Sequence, residues 1–192
     1  MNQFQKAIAL IDEVNAEDPT KETLDGKEIS KELLYSIRMT DKLADFEPDS
    51  SEAMKLAVRA QHIARWKIPR SEYPMDRVGY LRWREELKKM HADLAAEILE
   101  KSGYDEETIE RTKFLIRKKQ LKTDPDTQTM EDVICLVFLE YYFEEFAEKH
   151  ENEKVIDILQ KTWAKMSEKG HRAALQLPLS PTSLQLVKEA IT

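Results

Sequence analysis

The sequence predicts an all-α fold, a single-domain helical bundle of seven to eight helices, and three observations predict it. Apolar residues recur at three- and four-residue spacing through most of the chain. Only four glycines and seven prolines interrupt 192 residues, too few turn points for a many-stranded β protein. Hydrophobic residues at 41% beside charged residues at 35% give a globular composition with a heavily solvated surface. This length suits one domain with its own core, so residues 1–192 are expected to form one unit.

Taken in order, Phe4, Ile8, Ile11 and Val14 set a first helix over residues 2–16, stopped by Asp18-Pro19. Leu33, Ile37 and Ala44 face inward on a second, over about 27–46. Asp49 with Glu52 three residues on is an N-cap signature, opening a third helix that runs to about Trp66. Ile68-Pro69-Arg70 ends it and Tyr73-Pro74 keeps the connection extended. Asp76 caps a long fourth helix, about 77–101, terminated by Gly103. Asp105 starts a fifth through about Lys119, and residues 122–127 read as a polar loop. Thr129 caps a sixth over 130–149, apolar all round at its centre and so expected mid-bundle. A seventh, about 153–168, buries Val155, Leu159, Thr162 and Met166 and meets Gly170. Ser180-Pro181 opens a short terminal helix.

Composition also limits function. The formal net charge of −7 argues against non-specific binding to nucleic acid or anionic membrane, since affinity for phosphate backbones comes from Lys and Arg. The local run Arg117-Lys118-Lys119 still suits a phosphorylated small molecule. Cys135 is the only cysteine, which excludes an intramolecular disulfide and fits a reducing compartment. Residues 1–6 show no basic n-region before an apolar core, so no signal peptide is read there. The longest apolar run, residues 133–139, is far below the ~20 residues a membrane span needs. A cytoplasmic protein is expected.

Ionisable side chains on core-facing stripes mark candidate sites, because burying them is costly without a partner. His91 shares its stripe with Leu87, Leu94 and Ile98, and Asp132 shares one with Leu136, Leu139 and Phe143. His62 lies among Arg59, Arg65 and Trp66. Each has a plainer alternative: a hydrogen-bonded core histidine for His91, a partly exposed ring near Trp66 for His62, a first-turn carboxylate for Asp132. His150 and His171 sit in charged contexts and receive no role. No Gly-rich phosphate loop, Cys/His zinc spacing or Gly-x-Ser-x-Gly elbow occurs. Lys165-Met166-Ser167-Glu168-Lys169 looks like a class I aminoacyl-tRNA synthetase signature, but no His-x-Gly-His motif or strand–helix alternation accompanies it.

Two stretches resemble known families. His91-Ala92-Asp93-Leu94-Ala95-Ala96-Glu97-Ile98-Leu99-Glu100-Lys101-Ser102-Gly103-Tyr104 is similar to a segment of the HD superfamily, where His-Ala begins a helix ending in Gly. Residues 54–66 look like the superfamily's helix bearing a His-Asp doublet, and Glu131-Asp132-Val133 resembles its last aspartate helix. The resemblance implies an HD-like core over about 30–150 with helices of 153–192 packed on it. It also implies a divalent metal ion held by histidines and aspartates to hydrolyse phosphate esters. The whole chain also resembles an uncharacterised family, domain of unknown function 4202. That likeness rests on residues 32–39, residues 59–70, Tyr80-Leu81-Arg82-Trp83-Arg84 and residues 128–138.

The chain departs from the HD pattern. Ile63 stands at the doublet's aspartate, Tyr35 and Arg38 occupy the region of its first histidine, and Lys118-Lys119 replace another. His62, His91 and Asp132 are what remains for one divalent metal ion, two imidazoles and a carboxylate with open positions. On this reading the protein is a metal-dependent hydrolase of a small phosphorylated or nucleotide-like substrate. Arg38, Arg59, Arg65, Trp66, Arg70, Trp83, Arg84 and Lys119 are then the substrate-binding residues. The alternative is a catalytically degenerate binding module for an anionic metabolite, without metal, in which Arg38 and Lys119 supply the positive charge. A helical interaction protein without a small-molecule site is the third reading.

Overall fold

A reciprocal pair of hydrogen bonds starts the first helix of the computed structural model, which describes residues 1–191. Asn2 accepts from the Gln5 N–H while the Gln5 side chain accepts from the Asn2 N–H, and α1 (Gln3–Ala16) follows. Two donors that a helix start leaves orphaned are thereby satisfied. The all-α class holds: among the described residues the one sheet is a single hairpin.

That hairpin corrects the expected start of the second helix. Lys21–Leu24 (β1) pairs antiparallel with Lys27–Ser30 (β2), Lys21 facing Ser30 and Leu24 facing Lys27. Asp25 and Gly26 turn the chain, both at positive φ (50° and 76°). A two-residue turn of this kind matches the twist of the strands it joins, and Asp-Gly is its strongest sequence signal. Helix α2 (Lys31–Phe46) therefore begins four residues later than its apolar spacing suggests.

The third helix is shorter than expected. Ser51, not Asp49, caps α3 (Glu52–Ala60) by accepting from the Met54 N–H at 3.2 Å. Beyond it Ala64 adopts a left-handed conformation (φ 55°), which a helix cannot continue through. The Asn15 side chain holds it there by accepting the Ala64 N–H at 3.2 Å. Short 3-10 turns at Arg65–Lys67 and Arg70–Glu72 carry the chain on to α4 (Arg77–Ser102). That helix is capped by Asp76 and closed by Gly103 at φ 90°, as the sequence implies. Asp105 caps α5 (Glu106–Ile116), which ends three residues before Lys119.

The expected polar loop at 122–127 contains the start of the next helix. Asp124 accepts the Thr127 N–H at 2.8 Å and Pro125 takes the first helical position of α6 (Pro125–Tyr141), leaving Thr129 inside the helix. A break at Tyr142 separates α6 from α7 (Phe143–Glu148). After α8 (Asn152–Trp163), Gly170 does not terminate a helix but lies within α9 (Glu168–Ala174), and α10 (Pro181–Ile191) closes the described chain.

By its internal packing the chain divides into two compact units. One comprises Met1–Asp41 and Asp49–Lys119; the other comprises Lys42–Pro48 and the residues from Gln120 onward. In the first, α4 packs on α5 and α1, and α3 on α5, around Ala7, Leu56, Ala96, Leu99 and Ile109. In the second, α6, α8, α9 and α10 gather around Leu136, Leu139, Phe143, Val155, Leu159, Met166 and Val187. Among the described residues no helix is long and apolar enough to cross a membrane.

Candidate functional site

In the first unit, four residues of α4 fall on one helical face: Arg84, Leu87, Lys88 and His91, spaced as i, i+3, i+4 and i+7. Opposite them comes the segment after α3, where the left-handed turn at Ala64 sets Gln61, His62 and Arg65 beside that face. Ile116 and Lys118, at and just after the end of α5, complete a small pocket of about 30 Å³. Its wall carries four cationic side chains, Arg65, Arg84, Lys88 and Lys118, and two imidazoles. Among the described residues that line it, none is a carboxylate.

His62 is held between a cation and a carboxylate. Nε2 lies 3.3 Å from Arg65 Nη1, from which it accepts, and Nδ1 lies 3.4 Å from the Glu32 carboxylate, close but without a hydrogen bond. The ring stacks on Tyr35 with centroids 4.2 Å apart. Burial, and then the nearby charges of Arg65, Lys118 and Arg84, hold His62 well below the usual imidazole range.

His91 is buried at 3% exposure, with its centroid 5.9 Å from that of His62. Its Nδ1 is 2.6 Å from the Ile63 carbonyl oxygen, which only accepts, so Nδ1 carries the proton. Burial, then the His62 ring, pushes the His91 imidazole down to about 3, so it is neutral at pH 7. Its other nitrogen, Nε2, is therefore a bare acceptor, and it is buried without a hydrogen-bond partner.

Beneath these rings Glu32 is almost wholly buried. Burial raises its carboxyl to about 7, outweighing the Arg65 guanidinium 3.9 Å away that favours the ionised form. Arg65 is itself pushed below its usual range by burial, partly offset by Glu32. It lies over the Trp83 ring at 4.8 Å, and Trp83 is fixed by its indole N–H to the Ile68 carbonyl at 2.8 Å. Arg65, with 30% of its side chain exposed, is thus a partly buried cation whose nearest carboxylate is held toward its neutral form.

Of the residues singled out from sequence, His62, His91, Arg65 and Arg84 meet in this pocket, and Trp83 supports it. The others are engaged elsewhere. Arg38 pairs with Glu22 at 3.3 Å. Arg59 grips Asp12 with two bonds of 2.7 Å and donates to Thr40. Arg70 donates to the backbone carbonyls of Tyr73 and Asp76. Lys119 is exposed, and its neighbour Lys118 lines the pocket instead. Trp66 sits on a 3-10 turn outside the lining.

Asp132 belongs to the second unit, where its carboxylate accepts from the Ser167 N–H, the Ser167 hydroxyl and the Gln128 amide. No set of three His, Cys, Asp or Glu side chains able to hold a metal ion occurs among the described residues. Sequence reasoning passed over Glu32, Gln61 and Lys88, and took Lys118 only as part of the basic run 117–119. For Lys88 the signal was present, since it shares the helical face that places His91 inward.

A family model described as Domain of unknown function (DUF4202) matches residues 5–187 of the chain. No curated protein and no solved structure matches it.

Proposed function

We propose, for a chain that belongs to the DUF4202 family, that the first unit is a binding module for a small anionic metabolite and uses no metal. The observation that carries this is the charge of the pocket wall: four cations, of which Lys88 is paired with Glu85 at 2.5 Å, and no carboxylate among the lining residues. Arg65 is about two-thirds buried and lies 3.9 Å from a Glu32 carboxyl that burial raises to about 7. Burying a guanidinium is costly without a firmly ionised partner, and an anion between Arg65 and Arg84 supplies one. The forked guanidinium geometry suits two oxygens of a carboxylate or phosphoryl group. The small cavity, about 30 Å³, favours a small anionic group at its mouth over a whole nucleotide.

One feature favours the metal-dependent hydrolase instead. His91 is tied back through Nδ1 and bare at Nε2, the arrangement of many metal-bound imidazoles. The surrounding charge opposes it: a divalent cation at His91 meets four positive side chains and no carboxylate on the pocket wall.

Two measurements on full-length protein purified without a His-tag separate the readings. Thermal unfolding is followed with chloride, acetate and inorganic phosphate at constant ionic strength, for the parent and for Arg65→Met and Arg84→Met. The binding reading expects a rise in melting temperature with phosphate or acetate that both variants lose. Stoichiometric metal by elemental analysis, absent from His91→Ala, overturns it in favour of the hydrolase.

A further inference from the structure

The orphaned nitrogen of His91 says more about the ligand than its charge. A buried acceptor with no partner is costly, and a donor brought by a bound water or ligand relieves it. Nδ1 is committed to the Ile63 carbonyl, so this ring presents to the pocket a lone pair and no proton. Every other polar group on the wall is a cation, apart from the Gln61 amide and the His62 ring, whose Nε2 accepts from Arg65 and whose Nδ1 lies 3.4 Å from Glu32.

An occupant drawn in by Arg65, Arg84, Lys88 and Lys118 must be an anion, yet one of its atoms must donate to His91. Resting on the anion-binding reading above, we infer that the pocket selects an oxyanion that keeps a proton at neutral pH, as hydrogen phosphate does. Sulfate has the same size and shape and a full double charge, but no O–H at pH 7. In this site its oxygen faces the bare Nε2, lone pair against lone pair. A site built to receive a hydrogen bond rejects an analogue that lacks the donor much more strongly than size or charge alone would.

Calorimetric titration of the full-length protein at pH 7 with inorganic phosphate, arsenate, methyl phosphate and sulfate tests this. Phosphate and arsenate, both protonated there, are expected to bind about tenfold to a hundredfold tighter than sulfate. Methyl phosphate loses its last proton at about pH 6 and is mostly the bare dianion at pH 7, so it is expected to bind more weakly than phosphate; equal binding counts against the inference. His91→Asn, which retains an N–H for the Ile63 carbonyl, and His91→Phe are expected to reduce the phosphate-to-sulfate ratio to near one.

Equal binding of sulfate and phosphate by the parent protein overturns the inference while leaving the anion site intact. The parent comparison needs no variant, so a misfolded substitution leaves it decisive. Failure of all four anions to bind overturns the anion-binding reading itself.

Discussion

The Asp132 carboxylate accepts two hydrogen bonds from a single residue, Ser167, one from its backbone N–H at 2.8 Å and one from its hydroxyl. The same hydroxyl accepts the Gly170 N–H at 3.0 Å, so Asp132 orients the cap of α9. Gly170 is required there, because a Cβ would lie 2.6 Å from Asp132 Oδ1. Asp132→Ala strands three donors and is expected to lower stability by about 2–4 kcal/mol. Urea denaturation reads that loss, and phosphate affinity measured below the transition should stay within about twofold. A variant as stable as its parent but unable to bind phosphate would return Asp132 to the ligand site.

Arg59 makes a parallel case. Its Nε and Nη2 fork the Asp12 carboxylate at 2.7 Å each, joining α3 to α1, and Nη1 reaches Thr40. Arg59→Ala is expected to cost about 2–3 kcal/mol of stability through the lost charge-assisted pair. Arg65→Met, whose guanidinium faces the pocket, is expected to weaken phosphate binding about tenfold or more with a smaller change in stability. Calorimetry and denaturation on the two variants should therefore give opposite patterns. Equal effects of both on affinity would mean Arg59 belongs to the site as well.

Glu32 and His91 impose opposing pH dependences. The Glu32 carboxyl is raised from 4.5 to about 7 on folding. Its contribution to stability is complete below pH 4.5 and is lost as pH rises through 7, a loss approaching about 3 kcal/mol. His91 is lowered from 6.5 to about 3, so its contribution is complete above pH 6.5 and is lost as pH falls toward 3. His62 is depressed as well, so between pH 4.5 and 6.5 Glu32 offsets only one of two imidazole slopes, and the parent is expected to gain stability with pH across that window and lose it above 6.5. Glu32→Gln removes the opposing slope, so stability should climb more steeply with pH across that window and stay level above it. Denaturation at half-unit steps from pH 4 to 8 decides the matter; a variant that tracks the parent contradicts a titrating Glu32.

The fold class was legible because helix periodicity and caps are local, and Asp76, Asp105, Gly103 and Pro181 mark boundaries through neighbours within four residues. Errors arose where a local signal lost to another. Asp25-Gly26 closes a hairpin whose strands carry little apolar alternation. Ala64 leaves the helical path because Asn15, far back in sequence, fixes its N–H. The site was half legible. His91 could be placed inward from Leu87 and Leu94, and the helical face that does so also brings Arg84 and Lys88. Nothing local shows that Asp132 meets Ser167, or that Arg59 meets Asp12, since each pairing needs the folded chain.

Lys118 offers the sharpest separation of stability from function. It follows α5 in the left-handed region, at φ 53°, where a side chain is strained and glycine is not. Its N–H still bonds the Leu115 carbonyl at 2.8 Å, the closure a glycine makes at a helix end. An unfavourable residue at such a position points to a use for its side chain, and here that side chain lines the anion pocket. Lys118→Gly is expected to stabilise the protein by about 0.5–1 kcal/mol at pH 7 by relieving the backbone. It should at the same time weaken phosphate binding about threefold to tenfold, through one lost cation at the wall. Lys119→Gly, one residue on and exposed, serves as the control and should leave affinity unchanged. If Lys118→Gly binds phosphate as well as the parent, the charge at this corner is not part of the site, and the strain there has another cause.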